Sequence, residues 1–305
     1  MLSPRLIPIV GGTAVIAAAG MFLAIGRTGA HAAAAVAPSF PAPPSGATVY
    51  SRQLGNDALA LAVVPRQTGG LLVRASVVGR QGNGVDGLHV ALTMGGHRKA
   101  AVRCGAGCYG ASFASERAPR AVDVSIAGGE TAQWHVDLPA VWPPRDGADV
   151  VRRAGQAWRA LHSLTFRERL ASGTGQVAVS TWRIQAPDRL AYQVLRGWAG
   201  VVIGERRWDR APGSSTWQPS AQTRLHQPVP FWVSATDAHI LGPVTVAGRP
   251  AIRVSFFDPG SPAWFTIVVD RATYRTVDSR MDTNAHFMHD VYGSFNSTSP
   301  IVPPR

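Results

Sequence analysis

Two cysteines, Cys104 and Cys108, sit in CGAGCY with Gly105 and Gly107 between them, residues that permit the tight backbone a small ring needs. Such a pair closes a disulfide loop in an oxidising compartment, binds copper or cycles in redox, or stays as free thiols. A zinc site needs more ligands at finger-like spacing than this pair offers. Near the other end stand Met281, His286, Met288 and His289. Thioether and imidazole together suit copper, which makes these four the candidate metal ligands and copper the one candidate cofactor. On a helix Met281, Met288 and His289 would share a side; on a strand His286 and Met288 would face one way and His289 the other. Neither geometry gathers all four. The competing reading packs the methionines into the core and leaves the histidines at the surface. Met94 with His97 is a weaker pair of the same kind.

The 18 acidic residues allow a meeting of carboxylates, for example Glu168 with Glu205 or with Asp258, although pairing with arginine is the default. No G-x-S-x-G elbow, H-E-x-x-H, phosphate loop or dinucleotide fingerprint is present, so no catalytic residue is assigned and no enzyme is expected. Tryptophan is the remaining resource. Trp182, Trp198, Trp208, Trp217, Trp232 and Trp264 all fall in the second half of the chain. On a curled sheet such side chains either line a cavity for an apolar ligand or fill the core.

These residues are positioned by a chain that alternates far more than it repeats helically. From 46 to 138 seven short runs, from DALALAVV to QWHVDL, are separated by turn signals such as Gln81-Gly82-Asn83-Gly84 and predict a small immunoglobulin-like β-sandwich. A Pro-rich hinge spans 139–147. Within GADVVRRAGQAWRALHSL, Val150, Ala154, Ala157, Trp158 and Leu161 recur at three- and four-residue spacing, which predicts a helix capped by Asp146 or Asp149. Nine extended runs then fill the second domain, 148–297, and predict a large antiparallel sheet that must curl to hide its apolar face. Residues 298–305 form a Pro-rich tail. The expected fold is mainly β with few helices: a sandwich, then a curled half-barrel with one packing helix.

The amino-terminal segment decides the compartment. Residues 7–26 are an uncharged run long enough to cross a bilayer, with Arg5 before it and Arg27 after it, and Ala30-His31-Ala32 fits a cleavage site. The segment within 1–32 is a cleaved signal peptide or a retained membrane anchor, and either one exports the rest of the chain. The Ala/Pro-rich stretch at 33–45 reads as an extended tether. The net charge of +12 would raise nucleic acid as a partner, but the positive residues are almost all arginine, Lys99 is the sole lysine, and they are scattered. No nucleic acid is expected.

The second half resembles the lipoprotein-carrier (LolA/LppX-like) superfamily, on Ala186-Pro187-Asp188-Arg189, the Gly204-to-Trp208 strand, Gly213 to Trp217 and the hairpin-rich stretch from Val246 to Met281. Within it the chain is similar to the carboxy-terminal extension of actinobacterial copper-transport proteins of the CopD type, through Met281 to Asn296 and the Ile301-Val302-Pro303-Pro304 tail. The first half resembles the YtkA- or FixH-like domains that precede that extension, through CGAGCY. The multi-spanning membrane block of those transporters has no counterpart among these residues. The resemblance implies a half-barrel covered by helices and an exported, extracytoplasmic binding protein for a lipid or lipoprotein ligand. Its alternatives are a copper-handling accessory of a copper-transport membrane protein and an interaction module without ligand.

Overall fold

A computed structural model describes residues 41–305 except 56, 67–68, 80–82, 115–119, 130, 173–175, 262 and 284–285. The expected export segment and most of the tether therefore lie outside the described residues. Among the described residues no helix is long and apolar enough to cross a membrane.

The first body is a two-sheet sandwich of nine strands: β1 (Thr48–Leu54), β2 (Asp57–Pro65), β3 (Leu71–Val78), β4 (His89–Met94), β5 (His97–Ala100), β6 (Val102–Gly105), β7 (Cys108–Phe113), β8 (Ala121–Ala127) and β9 (Ala132–Asp137). One sheet runs β1-β2-β3-β7-β6 and the other β5-β4-β8-β9. Leu59, Leu61, Val63 and Val73 of the first sheet and Leu92, Val122, Val124 and Ile126 of the second alternate into one shared core. Seven strands were expected. TVYSRQL adds β1, and RKAAVR divides at Ala101, where the chain leaves one sheet for the other.

One helix follows, α1 (Ala148–Arg159). Neither expected aspartate is the N-cap, which is Gly147 without a side-chain cap; Asp146, one residue earlier, accepts from the Ala148 amide at 2.8 Å, and Asp149 pairs with Arg152 and Arg153 on the exposed side. Such solvent-screened surface pairs contribute little to stability. The helix is held instead by the buried face of Val151, Ala154 and Trp158.

The second body is a single antiparallel sheet of eleven strands: β10 (Ser163–Ser172), β11 (Gln176–Gln185), β12 (Arg189–Val194), β13 (Ala199–Ile203), β14 (Arg206–Arg210), β15 (Gln218–Ala221), β16 (Thr236–Val246), β17 (Arg249–Asp258), β18 (Ala263–Asp270), β19 (Thr276–Thr283) and β20 (His286–Gly293). Spatial order is β15-β14-β13-β12-β11-β10-β20-β19-β18-β17-β16. Two runs of hairpins thus meet at a central seam where the first strand of the sheet pairs with the last. The chain travels outward from β10 to the β15 edge, crosses through residues 222–235, and returns inward from the β16 edge to β20. Nine runs were expected. GVVIGERRWDR folds back at Gly204-Glu205 into β13 and β14, and the segment carrying the Met/His candidates becomes β20.

The sheet curls. Leu190 and Val202 from one wing and Val254, Phe256 and Ile267 from the other join a single core with α1 and with Leu225, Phe231 and Trp232 of the crossing segment. The opposite, convex face is covered in two places. Ala58, Ala60, Ala62, Val49 and Val64 of the sandwich pack on Trp264 and Phe287, and the Val49 amide donates to Ser255 Oγ at 3.2 Å. At the other wing Ile301 of the tail is fully buried against Ala191, Val201 and Trp208, with its amide and carbonyl bound to Gln185 and Arg189.

Candidate functional site

The concave face is the site the fold builds. Alternation along β10 turns Leu164, Phe166, Glu168 and Leu170 inward, β11 supplies Ser180, Trp182 and Ile184, and β20 supplies Met288, Asp290 and Tyr292. Its floor is aromatic. Phe166 stacks on Trp182 at 5.7 Å between ring centres, Trp182 tilts on Tyr192 at 4.8 Å, and Phe256 stacks on Phe265 at 5.2 Å. Gly200 lies opposite Tyr192, and a Cβ there would stand 2.2 Å from the tyrosine ring, so this ring position requires glycine.

Two elements close over the floor. Trp158 of α1 meets Tyr292 edge-on at 5.2 Å, and Phe231 of the crossing segment sits edge-on to both Trp158 (5.9 Å) and Phe166 (5.8 Å). Trp232 caps Phe256 and Phe265 in the same way at 5.5 and 6.1 Å. In this arrangement the rings fill one another's space, with Phe231 as the central plug.

An island of polar groups lies in the middle of this apolar surface. Glu168 and Asp290 are direct cross-strand neighbours on the β10–β20 seam, 4% and 0% exposed. Glu168 Oε2 accepts from Ser180 Oγ (2.6 Å) and from the Trp182 indole N–H (2.8 Å). Asp290 Oδ2 accepts from the Tyr292 hydroxyl at 2.8 Å, which is itself 2.8 Å from Ser279 Oγ, while Asp290 Oδ1 has no hydrogen-bond partner. Among the described residues no arginine, lysine or histidine forms an ion pair with either carboxyl. Burial pushes the Glu168 carboxyl up from the ordinary glutamate range against the pull of its two donors. Burial and then the charge of Glu168 push Asp290 well up as well, and burial beside Asp290 raises the Tyr292 phenol. Two carboxyls side by side and away from solvent resist ionising together, so the pair favours retaining a proton.

The structure distributes the residues singled out from sequence. Trp182 and Trp232 are in the concave core and Trp198 packs on its border. Trp208 and Trp217 are on the other side, against Ile301, with Arg206 and Arg210 stacked over their rings at 4.7 and 4.9 Å. Trp264 is on the convex face under the sandwich. Met281 and Met288 oppose each other within the concave core, whereas His289 is on the convex side with Nε2 2.7 Å from Asp278 Oδ2. His286 pairs in register with Ser172. The four copper candidates therefore do not share one face, and no three His, Cys, Asp or Glu side chains gather as metal ligands among the described residues. Met94 is buried in the sandwich core, one hairpin step from His97. Cys104 and Cys108 are joined as a disulfide.

Glu168 does meet a second carboxyl, but not one of those expected. Glu205 is exposed at the β13–β14 turn. Asp258 is buried elsewhere and receives the amides of Val233, Ser234 and Gly260 and the hydroxyls of Ser234 and Ser261, which anchors the end of the crossing segment. The partner is Asp290, placed opposite Glu168 by the pairing of β10 with β20, which no local sequence pattern signals.

No protein-family model matches the chain, and no curated protein does. Among solved structures, the carboxy-terminal half is similar to lipoprotein LppX of Mycobacterium tuberculosis, at 11% identity over 51% of this chain and 97% of that one, with a TM-score of 0.42. LprF of Mycobacterium bovis is similar at 11% identity over 53% and 98%, with a TM-score of 0.40. A LolA superfamily protein of Nitrosomonas europaea is similar at 8% identity over 51% and 95%, with a TM-score of 0.24.

Proposed function

We propose that the chain is a non-enzymatic, extracytoplasmic binding protein that holds an apolar, lipid-like ligand on the concave face of its large sheet. The observation that carries this reading is the acid island of Glu168, Asp290, Tyr292 and Ser279 in the centre of an aromatic floor. A surface that only had to fill a core gains nothing from two buried carboxyls, since burying a polar group without full hydrogen bonding costs roughly 1–3 kcal/mol. A ligand site, by contrast, is typically a mostly apolar concavity with a few convergent polar groups that fix orientation.

The ligand enters by displacing the plug. Phe231 and Trp158 reach the floor from a loop and a single helix, elements that can move without breaking the sheet, and their departure exposes Phe166, Trp182 and Tyr292 to an acyl chain. The two carboxyls and the Tyr292 hydroxyl then meet a hydroxyl, ester or carbonyl group of the ligand. The Cys104–Cys108 disulfide and the apolar segment at 7–26 support an oxidising compartment outside the cytoplasm.

Native mass spectrometry of the protein purified from its own cell envelope tests the reading. The expected spectrum carries an adduct of lipid mass at one copy per chain. A bare chain that also fails to take up fluorescent fatty acids overturns it.

A further inference from the structure

Where the sandwich meets the convex face of the large sheet, a cleft of about 200 Å³ opens between Arg52 and Gln53 of β1 and Arg169, Arg280, Asp282 and His289 of the sheet. Strand register builds its wall. Arg169 lies directly opposite His289, and His289 opposite Arg280, so three nitrogen-bearing side chains form one row across β10, β20 and β19. Like charges in direct cross-strand positions are unfavourable in themselves. Asp278 relieves only His289, at 2.7 Å. Among the described residues no carboxylate comes within ion-pair distance of Arg169, Arg280 or Arg52, and Arg52 is held at the rim by Nη1 donating to the Gln133 carbonyl at 3.1 Å. Asp282 forms the floor. It is buried, Arg280 lies two positions away on the same face of β19, and its Oδ2 has no hydrogen-bond partner.

We propose that this cleft binds a phosphate group, held by Arg169 and Arg280 with Arg52 at the rim and received at its floor by Asp282. Three guanidinium groups face at most one carboxylate, an excess that a phosphate dianion offsets. Each guanidinium presents parallel N–H donors that match two phosphate oxygens at once. Asp282 does not oppose the anion, because burial pushes its carboxyl up to about 7 and leaves it a proton to donate. Free phosphate or a soluble phosphate ester and the head group of a phospholipid share this chemistry. The cleft and the concave face lie on opposite sides of the sheet, so the phosphate site stands or falls apart from the apolar-ligand reading.

The test titrates inorganic phosphate into the full chain at about pH 6 by calorimetry, for the wild type, for Arg169→Gln with Arg280→Gln, and for Arg66→Gln with Arg98→Gln. The second pair removes the same charge from exposed positions that do not line the cleft. A parallel arm measures binding to phosphatidylglycerol and to phosphatidylcholine vesicles. Saturable phosphate binding that weakens about tenfold or more in the cleft variant, and holds in the control, supports the site with a small phosphate as ligand. The same pattern on phosphatidylglycerol vesicles alone supports it with the lipid head group as ligand. A cleft variant equal to the wild type in both arms overturns it, as does an equal loss in the control. Both arginines are exposed, so the substitutions leave the core intact, and Arg280→Gln alone reads the same site with one charge removed.

Discussion

Asp290, Glu168 and Asp282 are three buried acids without a cationic ion-pair partner among the described residues, and each should make stability fall with rising pH. A carboxyl whose folded pKa lies above its unfolded one binds more protons folded than unfolded between the two values, so stability is lost as pH rises through that window. For Asp282 the window runs from 3.8 to about 7. Asp282→Asn should therefore match the wild type near pH 4 in urea denaturation and exceed it at pH 8, by at most about 4 kcal/mol. Asp290→Asn should show the same sign, and a variant less stable than wild type at pH 8 would contradict the account of the island. Asp258 is the contrast. It is equally buried but accepts from five donors, and Asp258→Asn should destabilise. Sequence singled out Glu168 yet named Glu205 and Asp258 beside it. The true neighbour lies on the last strand of the sheet, and no local pattern announces a pairing between first and last strands.

At the scale of elements, the floor and its cover are both closely packed, and they differ in that the cover comes from a helix and a loop outside the sheet. Gly200→Ala drives a methyl into the Tyr192 ring and should lower stability by about 1–3 kcal/mol in thermal unfolding, with Tyr192 displaced. Phe231→Ala removes the plug and should cost about 3–5 kcal/mol in the empty protein. It should also raise affinity for a fluorescent fatty acid, because the ligand no longer has to expel the ring; a loss of stability with unchanged or weaker uptake would count against a displaceable cover. The helix was legible because Val150, Ala154, Ala157, Trp158 and Leu161 recur at three- and four-residue spacing, although Val151 rather than Val150 takes the buried place in its first turn. Strand β20 was not legible as a strand, since Met, His and Asp crowd a segment whose inward residues include a buried acid, the very departure from an apolar pattern that marks the site. The crossing segment 222–235 gives no periodic signal at all, and only the path between the two sheet edges explains why Phe231 and Trp232 are buried.

The whole molecule places two unlike surfaces back to back. The sandwich and the large sheet share an apolar seam of small residues around Trp264 and Phe287, so the two bodies should unfold together. Ala60→Asp, which sets a charge in that seam, should cost at least about 2 kcal/mol and split one calorimetric transition into two. Alternation along the chain made both β bodies legible, but it cannot say which face of a sheet meets solvent, helix or another sheet. For that reason six tryptophans of one apparent class separate into a concave set, a tail-bound set and the sandwich-bound Trp264. The central claim, that the concave face takes an apolar ligand, is tested most directly by photo-crosslinking with a diazirine-bearing fatty acid, followed by peptide mapping. The account predicts labels on α1, on β10 and β20 around Phe166 and Tyr292, and on the segment around Phe231, all competed by unlabelled lipid. Labels confined to the Trp208 and Trp217 surface, or no competed label at all, would contradict it.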